Sequence, residues 1–252
     1  MRKLQALIFD VDGTLAETER DGHRLAFNQA FADFGLDWQW DVATYGALLA
    51  VTGGKERMLA YWQQRDPQAA AKPDAPALIA QLHRRKTAHY VRLVESGALM
   101  LRPGVARLLD EAEAHGLKLA IATTTTVENV VALLEATLGQ GSAARFAAIG
   151  AGDIVPRKKP DPGIYLWVLE QLRLEAGDCL AFEDSRAGWS AADGAGLATI
   201  VTSCAYTADE SFPEARAWLN GLGEPQAPAR GYYRGAPWSG MVTVPLLETW
   251  CC

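Results

Sequence analysis

The run Asp10-Val11-Asp12-Gly13-Thr14 places two carboxylates two positions apart, directly after the short apolar stretch Ala6 to Phe9. Such a pair at the end of a strand can share a divalent cation while dividing nucleophilic from acid/base work, and the glycine permits a tight turn. Other polar groups stand in comparable places. Thr123 closes Leu119 to Ala122, Lys159 sits in Lys158-Lys159-Pro160, and Glu183-Asp184 follow Cys179 to Phe182. Taken singly each has an ordinary explanation: Asp12-Gly13 as a turn, Thr123 to Thr126 as a helix cap, Lys159-Pro160 as a solvated loop.

What must position these groups is legible in the hydropathy pattern. Ala6 to Phe9, Leu119 to Ala122, Ala147 to Ile149, Cys179 to Phe182 and Ala198 to Thr202 are short, apolar and ended by polar or turn residues, as buried strands are. Between them run amphipathic helices, with Val105, Leu108, Leu109 and Ala112 on one face, then Val127, Val130, Val131 and Leu134, then Ile164, Trp167, Val168 and Leu172. Alternating strand and helix predicts an α/β fold, a doubly wound parallel sheet with a Rossmann-like core, whose ligands bind beyond the carboxyl ends of the strands. The stretch from residue 18 to 94 breaks the alternation. Its periodicity is helical (Ala26, Phe27, Ala30, Phe31, Phe34) and it holds no convincing strand, so it reads as an inserted helical domain between core segments 1–17 and 95–252. Arg102-Pro103-Gly104 marks the return to the sheet.

Composition narrows the classes of function. With 252 residues, 49% of them hydrophobic, there is ample material for a core. A formal charge of -6 disfavours nucleic acid or an anionic membrane surface as partner. No apolar stretch is long enough to span a bilayer, and Met1 to Phe9 meets aspartates before a signal-peptide core could form, so the expected compartment is the cytoplasm. Cys179, Cys204, Cys251 and Cys252 have neither zinc-site spacing nor the density of a disulfide scaffold.

Asp10-x-Asp12-Gly13-Thr14, Thr123, Lys159 and Glu183-Asp184, in that order and each at a strand end or the loop beyond, resemble the motifs of the haloacid dehalogenase-like phosphohydrolases over residues 1 to about 206. The resemblance implies that Asp10 attacks phosphorus while Asp12 protonates the leaving oxygen and later takes the proton of water. It implies magnesium held by Asp10, the Asp12 backbone and Asp184 with Glu183 beside them, phosphate oxygens held by Thr123 and the Thr124 amide, and charge balanced by Lys159. It also makes the helical insertion a cap that closes over substrate.

Within the insertion, Gly53-Gly54-Lys55-Glu56-Arg57 is unlike a helix interior, since glycine lets backbone approach an anion that the cations can grip. With Tyr45-Gly46 and the linker Glu17 to His23, it is similar to the CbbY-type branch, whose members are sugar-bisphosphate phosphatases acting on xylulose-1,5-bisphosphate, a misfire product that inhibits Rubisco. That similarity makes Glu17, His23, Gly54, Lys55 and Arg57 the expected substrate contacts, with Lys55 and Arg57 on the uncleaved phosphate. Arg84-Arg85-Lys86 is a rival cluster, although such a run usually faces solvent; Trp38 and Trp40 fit an insertion core better than a pocket wall. The alternatives are a sugar-phosphate mutase of the β-phosphoglucomutase type or a non-catalytic binding protein. The expected partner is a small phosphorylated sugar and the expected state a monomer. Gly221 to Cys252 shows no period of either kind.

Overall fold

The computed structural model describes residues 3–251. The strand β1 (Ala6–Phe9) leads through a π-helical turn (Glu19–His23) into α1 (Arg24–Asp33), α2 (Val42–Leu48), α3 (Gly54–Arg65), α4 (Pro67–Ala70) and α5 (Ala75–Glu95). Helix and strand then alternate through α6 (Val105–Ala114), β2 (Lys118–Ala122), α7 (Val127–Leu138), β3 (Phe146–Gly150), α8 (Gly163–Leu172), β4 (Cys179–Glu183), α9 (Arg186–Gly194) and β5 (Ala198–Thr202). After them come β6 (Ala217–Leu219), β7 (Ala229–Tyr233), β8 (Ala236–Gly240) and α10 (Val244–Trp250).

The strands form one sheet in the order β3-β2-β1-β4-β5-β6-β7-β8, parallel from β3 to β6 and antiparallel beyond. Alternation along each strand divides its side chains between two cores. Leu7, Phe9, Leu119, Ile121, Leu180 and Phe182 pack with α6, α7 and α10, whereas Ala6, Ile8, Ala120, Ala122 and Ala181 pack with α8 and α9. The order reverses between β1 and β4, which opens a crevice past the carboxyl ends of those strands.

The inserted helices have an apolar cluster of their own: Phe27, Phe31, Trp38, Trp40, Tyr45, Met58 and Leu82. Trp38 and Trp40 belong to this cluster. The linkers into and out of the insertion pair with each other, through the bridge of Ala16 with Leu101 and the Arg102 amide on the Leu15 carbonyl at 2.8 Å.

Two expectations are corrected. The α7 face turns toward Val130, Leu133 and Leu134, because Thr126 caps the helix and leaves Val127 at its first position, 46% exposed. The stretch after Gly221, expected to lack any period, continues the sheet. Arg234 and Gly235 take positive φ angles of 48° and 78°, the conformation of a tight hairpin turn, between strands whose alternation is interrupted by Gly231, Pro237 and Gly240. Tyr233 then stacks on Trp250 of α10 at 4.6 Å. Cys252 lies outside the described residues. Among the described residues, no helix is long and apolar enough to cross a membrane.

Candidate active site

Asp10 follows β1, and its amide is held by the Phe182 carbonyl of β4 at 2.9 Å, so the carboxylate emerges where the strand order reverses. The chain then turns at Gly13, whose φ of 89° suits glycine, and a Cβ there would lie 2.2 Å from Asp184 Oδ2. The glycine thus admits both the turn and the approach of a second carboxylate. Arg102, buried, fastens the turn: its guanidinium donates to the Gly13 carbonyl, to the Thr202 carbonyl at 2.8 Å and to the Ser203 carbonyl at 2.6 Å.

Lys159 arrives from the loop after β3. Its ammonium donates to Asp10 Oδ1 at 2.7 Å, Glu183 Oε1 at 2.6 Å and the Ala122 carbonyl at 2.8 Å. Burial works against its charge, but Asp10 and Glu183 outweigh that and raise its pKa, so it is a fixed cation. Tyr165 of α8 donates its hydroxyl to the same Glu183 oxygen.

The acidic groups carry a deficit of positive charge. Burial raises Asp10 well above the carboxylate range despite Lys159, with Glu183, Asp184 and Asp12 adding repulsion; burial and Glu183 lift Asp184 to about 8. Asp10, Glu183 and Asp184 offer oxygens within 4.8 Å of one another, and Glu183 Oε2 is buried with no hydrogen-bond partner among the described residues. Crowded hard oxygens with an orphaned lone pair are what a small divalent cation satisfies, so the residues present fit one. The Asp12 side chain is turned away from this cluster.

Asp12 Oδ1 instead accepts from the Thr18 hydroxyl and lies 2.8 Å from His23 Nε2. Burial would raise the pKa of Asp12, but the His23 and Thr18 contacts and the Lys86 charge hold it to about 2. Lys86 Nζ is 2.7 Å from His23 Nδ1, and His23 stacks on Tyr90 at 4.1 Å. Lys86, grouped by sequence with a solvated run, is buried on α5, and burial lowers its pKa to about 8; Arg84 and Arg85 are the members that face out, Arg85 paired with Asp33.

The sheet and the insertion together enclose a cavity of about 580 Å³ lined by Asp10, Asp12, Thr123, Thr124, Lys159, Glu183 and Asp184 from one side and by Glu19, Gly46, Thr52 and Arg57 from the other. The expected contacts are distributed unevenly around it. Arg57 lines the cavity, but its guanidinium is already bound to the Tyr45 hydroxyl at 2.9 Å and the Leu48 and Val51 carbonyls. His23 and Gly54 line a small adjoining crevice with Arg57, Lys86 and Thr124. Lys55 pairs with Asp153 across the insertion boundary and is not brought to the main cavity. Glu17 is likewise outside it, its side chain 47% exposed and 3.6 Å from Arg102; two residues on, Glu19 faces the cavity and accepts from Tyr45. Glu17 lies in the linker before the π-helical turn and Glu19 opens that turn, so helical periodicity could not forecast which of the two points inward. Arg102, Tyr165 and Glu19 were missed as site residues; the basic residue before Pro103-Gly104 was the available hint for Arg102.

A family model described as a haloacid dehalogenase-like hydrolase matches residues 4–196. Protein CbbY of a Cupriavidus necator plasmid is 52% identical over 233 residues, covering 92% of this chain and 91% of that one. A crystal structure of CbbY from Rhodobacter sphaeroides in complex with phosphate superposes with a TM-score of 0.79 at 45% identity, covering 86% of this chain and 94% of that one. A mutant of the same protein in complex with xylulose-1,5-bisphosphate gives 0.80 at 44% identity, covering 88% and 98%. With the turn after Asp10, Lys159 and the acidic cluster converging on one cavity, this chain belongs to the haloacid dehalogenase-like hydrolases, in their CbbY-type branch, and is a phosphoric monoester hydrolase.

Proposed function

We propose that the chain hydrolyses a small sugar bisphosphate, xylulose-1,5-bisphosphate foremost, with magnesium and through an aspartyl-phosphate on Asp10. The observation that carries the reading is the buried contact of Asp10 with Lys159 at 2.7 Å inside the cavity; in this reading residues 18–94 act as a cap over a core of 1–17 and 95–252. The bisphosphate assignment draws on the relative solved with that sugar.

In the first half-reaction an Asp10 oxygen forms a bond to phosphorus, the bond from phosphorus to the sugar oxygen breaks, and that oxygen takes a proton from Asp12. In the second, water attacks the phosphoryl group, gives its proton to Asp12, and Asp10 is regenerated as inorganic phosphate leaves. Asp12, held to about 2, is ionised and so open to the proton of water in the second half; for the first, His23 at 2.8 Å is the neighbour through which it can be supplied with a proton. Thr123 and the Thr124 amide hold phosphate oxygens, and Lys159 keeps the Asp10 carboxylate aligned and offsets charge on the transferring group. Asp10, Asp184, Glu183 and the Asp12 backbone would hold the magnesium, which supplies charge neutralisation to the phosphoryl oxygens. Arg57 is the cap cation best placed for the uncleaved phosphate, whereas Lys55 would first have to leave Asp153.

The test is phosphate release from a panel of sugar mono- and bisphosphates, with magnesium and with chelator. Preferred release from a bisphosphate, abolished by chelator, is expected. Isomerised sugar phosphate without free phosphate would indicate a mutase, and turnover in excess chelator would overturn the metal assignment. Arg57→Ala should lower bisphosphate kcat/KM relative to monophosphate by roughly ten- to a hundredfold, the worth of one charge-assisted contact. An equal loss on both substrates would assign Arg57 to the cap's own packing.

A further inference from the structure

We propose that Thr52 is a positioning residue that couples seating of the inserted helices to the placement of Lys159, and so to the alignment of Asp10. The inference rests on the reading of Asp10 and Lys159 given above. Thr52 lies between α2 and α3, on the wall of the cavity, and its hydroxyl donates to the backbone carbonyl of Lys159.

The chain that carries Lys159 is tied elsewhere at its flanks, by Val155 buried in the cluster with α8, by Arg157 on Asp161 at 2.7 Å and by Lys158 on Asp153 at 2.6 Å, while Thr52 is the contact from the insertion to the carbonyl of Lys159 itself. Between β3 and α8 it forms neither strand nor helix, and its shape is kept by local ties: the Asp161 amide on the Lys158 carbonyl at 3.0 Å, and the Lys158 ammonium on the Gly152 carbonyl. A lysine ammonium on a flexible four-carbon stem finds its acceptors only while its backbone stays within reach. The Lys159 ammonium is shared among Asp10, Glu183 and the Ala122 carbonyl, so a shift of its backbone would loosen these bonds together.

Other contacts hold the insertion down without touching this peptide. The Tyr206 ring, from the loop after β5, packs against Gly46 of α2, where a Cβ would approach it to 3.0 Å, and Lys55 pairs with Asp153. Thr52 differs in that its partner is the peptide of the lysine in contact with the nucleophile. Lifting the insertion would remove that bond, so the charges around Asp10 are fully aligned only when the cavity is covered and water excluded.

The experiment uses the full chain with magnesium, and orthovanadate as a probe of the pentacoordinate phosphoryl geometry. Thr52→Val keeps the shape and removes the donor; Thr52→Ser keeps the donor. Thr52→Val should lower kcat and vanadate affinity by about tenfold with little change in KM, and Thr52→Ser should stay within about twofold of wild type, in keeping with one hydrogen bond acting on the chemical step. In a Lys159→Met background, Thr52→Val should weaken vanadate no further, because a residue acting through Lys159 has nothing left to act on. If Lys159→Met binds vanadate too weakly to read, the same cycle is run with Lys159→Arg, where the expected effect is again smaller than in wild type. An undiminished loss in the Lys159 variant, a loss confined to KM, or wild-type behaviour of Thr52→Val would each overturn the proposal. A wild-type chain that releases no phosphate from any sugar phosphate would instead sink the phosphatase reading beneath it.

Discussion

Asp10 and Asp12 are the same residue type two positions apart, yet their surroundings drive them in opposite directions. Burial among carboxylates pushes Asp10 upward, and the contacts with His23 and Thr18 hold Asp12 to about 2. Asp10→Asn should therefore remove turnover while leaving the thermal transition at or above that of wild type, because the amide cannot attack phosphorus but relieves like-charge crowding; substantial residual phosphate release would end its assignment as nucleophile. Lys86 offers a pH test. Its pKa of about 8 predicts that wild-type kcat changes through an alkaline inflection near that value as the cation beside His23 is lost, and that Lys86→Met shows no such inflection. The sign of the accompanying stability change follows from linkage. Folding lowers this pKa from 10.5, so between about 8 and 10.5 the unfolded chain binds the extra proton and wild-type stability from this group rises with pH. The melting difference between Lys86→Met and wild type should accordingly move in favour of wild type across that window, and a constant difference would contradict it. At this scale the sequence exposed Asp10, Asp12 and Asp184 because they stand just beyond apolar runs, and Lys159 because it falls in the loop beyond another, in the order of the family's motifs. It hid Lys86, Arg102 and Glu19, because what makes them important is burial against segments distant in the chain.

Strands β1 to β5 were legible as apolar runs because both faces of a parallel sheet are covered. β7 and β8 were not, since one side of them is largely exposed and glycine and proline interrupt their alternation. The elements also reach the site by close approach, which no pattern of hydropathy records. At the first turn of α9, a Cβ on Gly188 would lie 1.8 Å from Glu183 Oε2, so the helix can pass the acidic cluster only without a side chain there. Gly188→Ala must displace Glu183 or the helix. The expected result is a magnesium requirement raised by about ten- to a hundredfold, the usual effect of disturbing the groups that orient metal ligands. It is measured as the magnesium concentration giving half-maximal turnover and as the thermal shift on adding magnesium; an unaltered requirement would show that Glu183 has no part in holding the metal.

The molecule as a whole ties the segment after β5 to the site by way of α6. Arg107 donates to the Val242 carbonyl at 3.0 Å and the Gly223 carbonyl at 2.8 Å, and Glu111 accepts from the Val244 amide at 3.1 Å. Arg102, five residues earlier and ahead of α6, binds the Ser203 carbonyl beyond β5 and the Gly13 carbonyl in the turn after Asp10. Two nearby arginines thus serve different ends, Arg107 fastening the sheet's extension and Arg102 the turn after Asp10. Trp250, 2% exposed, seals the extension by stacking on Tyr233, edge-on to Trp238 at 5.3 Å, within the same apolar cluster as Leu108 and Leu247. Its removal leaves a cavity in that cluster. Trp250→Ala should lower the unfolding free energy by about 3–5 kcal/mol, read as a shift of the urea midpoint. Trp250 does not line the cavity that holds Asp10, so kcat/KM measured well below the melting transition should stay within about twofold of wild type, the expectation for a site supported elsewhere. Arg102→Met gives the converse: its guanidinium holds the Gly13 carbonyl directly, so turnover should fall far more than twofold even where the chain remains folded. If Trp250→Ala lost activity in the folded state as steeply as Arg102→Met, the extension would be shaping the catalytic turn and not merely closing the sheet.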